Sequence, residues 1–115
     1  MKFDDYHIYD NIKLNLKNLG YKRPTDIQYK AISPILRGED VLAIAQTGTG
    51  KTAAFVIPLL DMLQRYKHKR RDTGIKCVVM APTRELVIQI TKVFDTIGKK
   101  LSIKTLAVYG GVEQD

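Results

Sequence analysis

AQTGTGKT, residues 45–52, is the most informative stretch of this 115-residue sequence. An apolar run precedes it and a helical pattern follows it, which is the context in which a glycine-rich loop binds phosphate. Gly48 and Gly50 allow the backbone to curl so that successive amide groups converge on phosphate oxygens, and the positive end of the following helix adds to the attraction. Lys51 can reach the β- and γ-phosphates, and the hydroxyl of Thr52 can ligate Mg²⁺. The octapeptide therefore predicts a nucleoside triphosphate site.

The loop departs from the usual consensus at its first position, where Ala45 stands in place of glycine. The spacing from there to Gly50, Lys51 and Thr52 is intact. The alternative is a glycine-rich turn between a strand and a helix that carries a surface lysine. The matching context on both sides favours phosphate binding over that turn.

Short apolar runs alternate with helical patterns along the chain. The runs at 41–45, 77–81 and 106–109 are too short for helices and are typical of strands buried on both faces. Helices are predicted around 8–19, over 26–37 with Pro34 inside, over about 51–66 with a kink at Pro58, and from 84 to about 98. A strand, helix, strand, helix, strand order predicts βαβ units and a parallel sheet, hence an α/β fold.

Composition limits the class of protein. With 44% hydrophobic residues the chain can form a core, and its single cysteine, Cys77, excludes an internal disulfide and a zinc site built from cysteines alone. No segment approaches the ~18 consecutive apolar residues of a membrane span. Acidic residues stand where a secretory signal would be basic and then apolar. We expect a cytoplasmic protein with no membrane partner.

The net charge of +7 is concentrated in one place. Residues 67–76, KHKRRDTGIK, carry five basic side chains and one acidic side chain. Such a segment is either a solvated loop or an auxiliary nucleic-acid contact, and the charge alone leaves both open.

Gln28 has two interpretations. Thr25 followed three residues later by Gln28 forms a capping box at the start of a helix, and local pattern favours this role. The amide of Gln28 also offers one donor and one acceptor, which match the N6 and N7 edge of adenine.

PTREL, residues 82–86, and the pair Gly110 and Gly111 follow predicted strands. Parallel sheets bind ligands at the carboxyl ends of their strands, and Arg84 offers a forked cation for phosphate. Alternatively, Thr83 caps the next helix, Arg84 pairs with Glu85 and the glycines form an ordinary turn.

Four motifs in this order resemble the N-terminal motor domain of DEAD-box RNA helicases: GYKRPTDIQ at 20–28, AQTGTGKT at 45–52, PTRELV at 82–87 and Gly-Gly at 110–111. The resemblance runs from about Phe3 to the last residue. It implies that 1–115 are the N-terminal portion of a RecA-like ATP-binding domain, with an adenine-recognition motif at about 1–28. The implied fold is an incomplete three-layer α/β/α P-loop NTPase, in which helices flank a parallel sheet.

The resemblance also implies site residues. Those that would hold ATP are Phe3, Tyr21, Arg23, Gln28, Ala45, Gln46, Thr47, Gly48, Thr49, Gly50, Lys51 and Thr52. Among them Gln28 would read adenine and Phe3 would stack on the base, although Phe3 has an alternative role as a staple over the first helix. Lys51 and Thr52 would be catalytic, with Thr52 on the metal. The residues that would grip RNA are Pro82, Thr83, Arg84, Gly110 and Gly111. Asp26 stands where the family more often has proline. This difference affects the start of the helix more than the adenine contact.

The implied parent protein couples ATP hydrolysis, with Mg²⁺, to the parting of RNA duplexes that it binds through the backbone. An Asp-Glu-Ala-Asp element and a second RecA-like domain are expected outside these residues, so this chain alone is expected to be inactive in hydrolysis. Two other classes remain open. One is a different P-loop enzyme, such as a DNA translocase or a nucleotide kinase, which the ordered motifs disfavour. The other is a short, non-catalytic RNA-binding protein that uses 67–76 as its main surface.

Overall fold

The computed structural model describes residues 1–44, 50–69 and 74–110. These residues form a short 3-10 turn, Phe3–Asp5, and four α-helices. The helices are α1 Asp10–Asn18, α2 Asp26–Leu36, α3 Lys51–Lys69 and α4 Arg84–Ile97. All four predicted helices are confirmed, and α3 extends beyond its predicted end.

Helix boundaries follow local signals in the sequence. Gly20 adopts φ +84° just after α1 and Gly38 adopts φ +79° just after α2, a left-handed conformation that glycine allows without strain. Thr25 caps α2 and Thr83 caps α4. Helix α3 continues through Pro58, whose ring is fully buried, so the proline packs into the core rather than ending the helix.

Helix α3 is the central element of the core. Its buried face consists of small and branched side chains, and it packs against α1, α2 and α4. The fully buried members of this core are Ile12, Leu16, Ile32, Val56, Ile57, Leu60 and Ile97. Burying each such side chain stabilises the fold by about 1.5–3 kcal/mol before the loss of conformational entropy is counted. The N-terminus of α3 carries Lys51 and Thr52, so this packing fixes the position of the predicted phosphate site.

The parallel sheet is not confirmed. In the described part of the chain, segments 41–44, 77–81 and 106–109 have no strand pairing. Leu42 is 92% exposed, and Val78, Met80, Leu106 and Val108 are exposed as well. Parallel strands are stable when apolar groups cover both faces of the sheet. Among the described residues, nothing packs against these exposed side chains. Alternate residues of 106–109 are exposed, which keeps the period of two that a strand would have.

Two further findings apply to residues 1–44, 50–69 and 74–110. None of their helices has the length and apolar character that crossing a bilayer requires. No group of three or more histidine, cysteine, aspartate or glutamate side chains lies close enough to hold a metal ion.

Candidate functional site

Gln28 lies at the first turn of α2 and is only 4% exposed. Its Oε1 accepts a hydrogen bond of 2.9 Å from the backbone N–H of Thr25, and its own N–H donates to Thr25 Oγ1 over a long 3.4 Å. The capping box predicted from Thr25 and Gln28 is therefore confirmed.

The same amide also contacts the end of the predicted phosphate loop. Gln28 Nε2 donates to the carbonyl oxygen of Gly50 at 3.2 Å. Gly50 has φ +79°, and a Cβ there would collide with Gln28 Nε2. The backbone conformation therefore favours glycine at this position, and a larger residue would also have to displace the Gln28 amide from its contact. The contact joins the motif that is predicted to recognise adenine directly to the predicted phosphate loop.

Only the end of the phosphate loop lies within the described residues. Ala45, Gln46, Thr47, Gly48 and Thr49 fall outside them, so their predicted roles are untested. Lys51 is exposed and Thr52 is half-buried, both in the first turn of α3. That turn contains no acidic residue, and the positive end of a helix dipole favours negative charge.

Phe3 lies in the core and not on the surface. It is 3% exposed, and its ring stacks on Tyr21 at a centroid distance of 6.4 Å. The N–H of Phe3 donates to the carbonyl of Lys22 at 3.1 Å. Phe3 therefore has the packing role that was its alternative, and its contact with a base stays a prediction. Tyr21 is the exposed member of this aromatic pair, and Arg23 is exposed nearby in sequence.

The PTREL segment and the third apolar run meet at an open cavity of about 490 Å³. One wall is formed by residues 81–85 and Val87, and the other by residues 108–110. Two segments more than twenty positions apart in sequence thus come together, as the predicted RNA site requires. Gly111 lies outside the described residues.

Thr83 and Arg84 have distinct surroundings in this cavity. Thr83 Oγ1 accepts from the N–H of Leu86 at 3.2 Å, which confirms Thr83 as the N-cap of α4. Among the described residues Arg84 forms no ion pair, so the alternative pairing with Glu85 does not occur there. An exposed guanidinium beside the start of a helix suits a phosphate group.

Family comparison agrees with this geometry. Residues 25–115 match the model of the DEAD/DEAH box helicase family. The chain belongs to this family. The membership of the DEAD-box family that the four motifs indicate is therefore confirmed.

Curated relatives of this DEAD/DEAH box chain carry matching names. The ATP-dependent rRNA helicase RRP3 of Kluyveromyces lactis is 45% identical over 96 residues, which cover 84% of this chain and 19% of that protein. The putative ATP-dependent RNA helicase ste13 of Schizosaccharomyces pombe is 39% identical over 110 residues, covering 96% of this chain and 22% of that protein. The chain thus spans about one fifth of the length of these relatives.

A solved structure shows the same arrangement of elements. The DEAD box protein from the hyperthermophile Methanococcus jannaschii superposes with a TM-score of 0.87 at 36% identity. The match covers 98% of this chain and 30% of the other chain. The neighbours of this chain are therefore DEAD-box helicase domains, which supports the α/β RecA-like class at the level of overall arrangement.

Sequence reasoning missed two features of this DEAD/DEAH box chain. The first is the contact of Gln28 with Gly50, which joins residues 22 positions apart. The second is the ion pair of the buried Asp61 with the half-exposed Arg65, which holds the backbone of residues 7–9. The available signal for the pair was a charged residue, Asp61, within the apolar pattern of α3.

Proposed function

We propose that this chain is the ATP-binding and first RNA-binding part of an ATP-dependent RNA helicase. The observation that carries the proposal is the buried amide of Gln28 against Gly50, next to Lys51 and Thr52. A single ligand with a base at one end and phosphates at the other would contact all of these groups.

Adenine fits the hydrogen-bonding capacity that Gln28 retains. Its Oε1 uses one lone pair on Thr25, and its Nε2 uses one hydrogen on Gly50. Counting only bonds within the described parts of the chain, one lone pair and one hydrogen are left, which can accept from N6 and donate to N7 of adenine. Guanine carries an acceptor where adenine carries the N6 donor, so the amide favours ATP.

The phosphate end of the ligand would lie at the start of α3. Lys51 would neutralise the β- and γ-phosphates, and the glycine-rich loop 45–50 would donate amide groups to them. Thr52 fits one position of a magnesium site, because Mg²⁺ in such sites is held by a hydroxyl, by phosphate oxygens and by water. When bound, the ion would neutralise part of the negative charge of the phosphates.

RNA would bind at the cavity between residues 81–85 and 108–110. Arg84 would contact a phosphate, and the lack of a side chain at Gly110 would allow the backbone to approach. Such contacts read the sugar–phosphate chain rather than the bases, so binding is expected to be independent of sequence. In the complete protein, ATP hydrolysis and a second RecA-like domain would couple this site to the separation of strands. A completed parallel sheet and a cytoplasmic location belong to the same proposal.

Nucleotide binding tests the first half of the proposal. Competition of ATP and GTP against a fluorescent nucleotide should show a preference for ATP in the wild-type protein. Gln28→Glu removes the donor hydrogens, and we expect a loss of ATP affinity of roughly tenfold or more. Gly50→Ala should weaken both nucleotides, because it displaces the amide and the loop together. Gly38→Ala has the same strained φ but nothing within 4 Å, so it controls for backbone strain. Equal binding of ATP and GTP by the wild type would contradict the proposal.

RNA binding tests the second half. Arg84→Ala should weaken binding of single-stranded RNA and reduce its dependence on salt. Lys92→Ala removes an exposed cation of α4 outside the cavity and serves as the control. A loss confined to a variant neutralised at Lys67, Lys69, Arg70 and Arg71 would instead favour the non-catalytic RNA-binding protein.

A further inference from the structure

Asp61 and Arg65 form a polar cluster on α3 away from the phosphate end of that helix. Asp61 is 1% exposed, and its Oδ2 accepts from Arg65 Nε at 2.7 Å. Its Oδ1 accepts from the backbone N–H of Tyr9 at 3.0 Å. Burying a carboxylate is costly unless hydrogen bonds and an opposite charge compensate it, and here both are present.

The position of Asp61 has a specific physical reason. Helix α1 begins after Tyr9, and the side chain of Tyr9 makes no capping hydrogen bond. The carboxylate of Asp61 supplies an acceptor at this helix start from a different helix. Its negative charge also lies at the positive end of α1, which is the favourable orientation.

Arg65 holds the same segment at further points. Its Nη2 donates to the carbonyl of His7 at 2.9 Å, and its guanidinium lies 5.1 Å from the centre of the Tyr9 ring. The hydrogen bond with Asp61 raises the pKa of Arg65, so the side chain stays ionised. The backbone of residues 7–9 is thus fixed to the middle of α3.

The other end of this N-terminal strap, residues 1–9, reaches the proposed adenine site. Phe3 donates its N–H to Lys22 and stacks on Tyr21. Both partners lie in the loop that leads to Thr25 and Gln28. Contacts therefore run from Asp61 through the strap and the aromatic pair to the loop before the base-reading amide.

We propose that Asp61 and Arg65 are positioning residues for adenine recognition, which act by holding the strap that carries Phe3. The inference rests on the proposed function, because it concerns how the base is recognised. Asp61 lies roughly 15 Å along α3 from Lys51, since each helical residue adds about 1.5 Å. One rigid helix thus fixes the phosphate-binding end and the support for the aromatic pair relative to each other.

Nucleotide selectivity separates this role from general stability. ATP and GTP share their phosphates, so a variant that only loosens the fold lowers both affinities together. Asp61→Ala releases the strap and with it the loop that leads to Gln28. We expect ATP affinity to fall by roughly five- to tenfold, the range expected when a hydrogen bond from the Gln28 amide to adenine is lost, while GTP affinity, which that amide does not support, is unchanged. Asp61→Asn keeps an oxygen for the N–H of Tyr9 and should give an intermediate loss. The full-length polypeptide is the protein to measure.

Gln64→Ala is the matched control. Gln64 is a buried polar residue of the same helix, and its Oε1 accepts from the N–H of Ser102 at 3.2 Å. Its loss should cost comparable stability without affecting the strap, so the ratio of ATP to GTP affinity should remain that of the wild type. Amide hydrogen exchange of residues 3–9 should accelerate in Asp61→Ala and not in Gln64→Ala.

Each remaining outcome decides a different point. Retention of the wild-type selectivity in Asp61→Ala and Arg65→Ala, or an equal loss for both nucleotides, would overturn the positioning role. A wild type that binds ATP and GTP equally would overturn the proposed function, and the inference with it. Arg65→Ala is the harsher variant, because it leaves the buried Asp61 carboxylate without its counter-charge, whereas Asp61→Ala leaves a half-exposed guanidinium that water can solvate. If either alanine variant does not fold, Asp61→Asn carries the test, because it removes the charge and keeps an acceptor for the N–H of Tyr9.

Discussion

At the scale of single residues, Gln28 shows that a local role and a functional role need not compete. A side-chain amide has two acceptor positions and two donor hydrogens. Capping α2 and holding Gly50 each use one, so a base can use the others. The two interpretations that the sequence left open for Gln28 are therefore compatible in one conformation, and adenine recognition remains the proposed one of the two.

Tyr6 is a second residue with a testable consequence. Its hydroxyl is buried without a hydrogen-bond partner among the described residues, and burial, followed by the nearby Tyr29, raises its pKa. An unsatisfied buried hydroxyl costs about 1–3 kcal/mol. Tyr6→Phe should therefore raise the free energy of unfolding by about 1 kcal/mol in a denaturant titration. Tyr29→Phe, with an exposed ring, should have no effect. Destabilisation of Tyr6→Phe would mean that the hydroxyl has a partner in solution.

At the scale of elements, one end of α1 and one end of α4 are each capped by a side chain from another helix. Asp61 of α3 serves the start of α1. Asn15 of α1 serves the end of α4, where its Nδ2 donates to the carbonyls of Ile97 at 2.8 Å and Lys99 at 2.7 Å. Helix ends leave backbone groups unpaired, and these distant side chains satisfy them. These caps form only when the helices are packed against each other. The helices are therefore expected to fold together rather than one by one.

Removal of Asn15 tests this mutual capping. Asn15→Ala leaves buried carbonyls of α4 unpaired and should lower the free energy of unfolding by about 2 kcal/mol. Asn11→Ala changes an exposed asparagine of the same helix and should be close to neutral or slightly stabilising, because alanine favours helix. Equal effects of the two substitutions in thermal unfolding would show that the bonds from Asn15 contribute little.

At the scale of the whole molecule, helices and apolar segments differ in how they are covered. The helices bury their apolar faces around α3, whereas Leu42, Ile44 and Met80 are at least 90% exposed. Large exposed apolar side chains of this kind are typical of surfaces that contact another molecule or promote aggregation. Within the described residues, the helical core is therefore the part that packing stabilises. The segments 41–44, 77–81 and 106–109 are the part that exposes apolar surface.

Dye binding tests this division. The 115-residue chain should bind a hydrophobic dye such as ANS under native conditions. A variant with Leu42→Thr, Met80→Thr and Leu106→Thr should bind much less dye with little change in its thermal midpoint, because these side chains are already exposed. The matched variant Ile57→Thr, in the buried core, should unfold at a markedly lower temperature. A large fall in the midpoint of the triple variant would mean that the three side chains are buried in solution.

The sequence by itself determined the local features of this protein. The local features are the glycines after α1 and α2, the threonine caps before α2 and α4, and the helical periodicity. Each depends on residues within one or two turns, so it can be predicted from the sequence. Ordered motifs were likewise sufficient for the family. Tertiary structure alone decided which distant groups meet: Gln28 with Gly50, 22 positions apart, and Tyr9 with Asp61, 52 positions apart. Among the described residues the predicted strands show no pairing, so the sheet is not confirmed. A parallel ladder depends on neighbouring strands and on cover for both faces, and neither is encoded within a five-residue run.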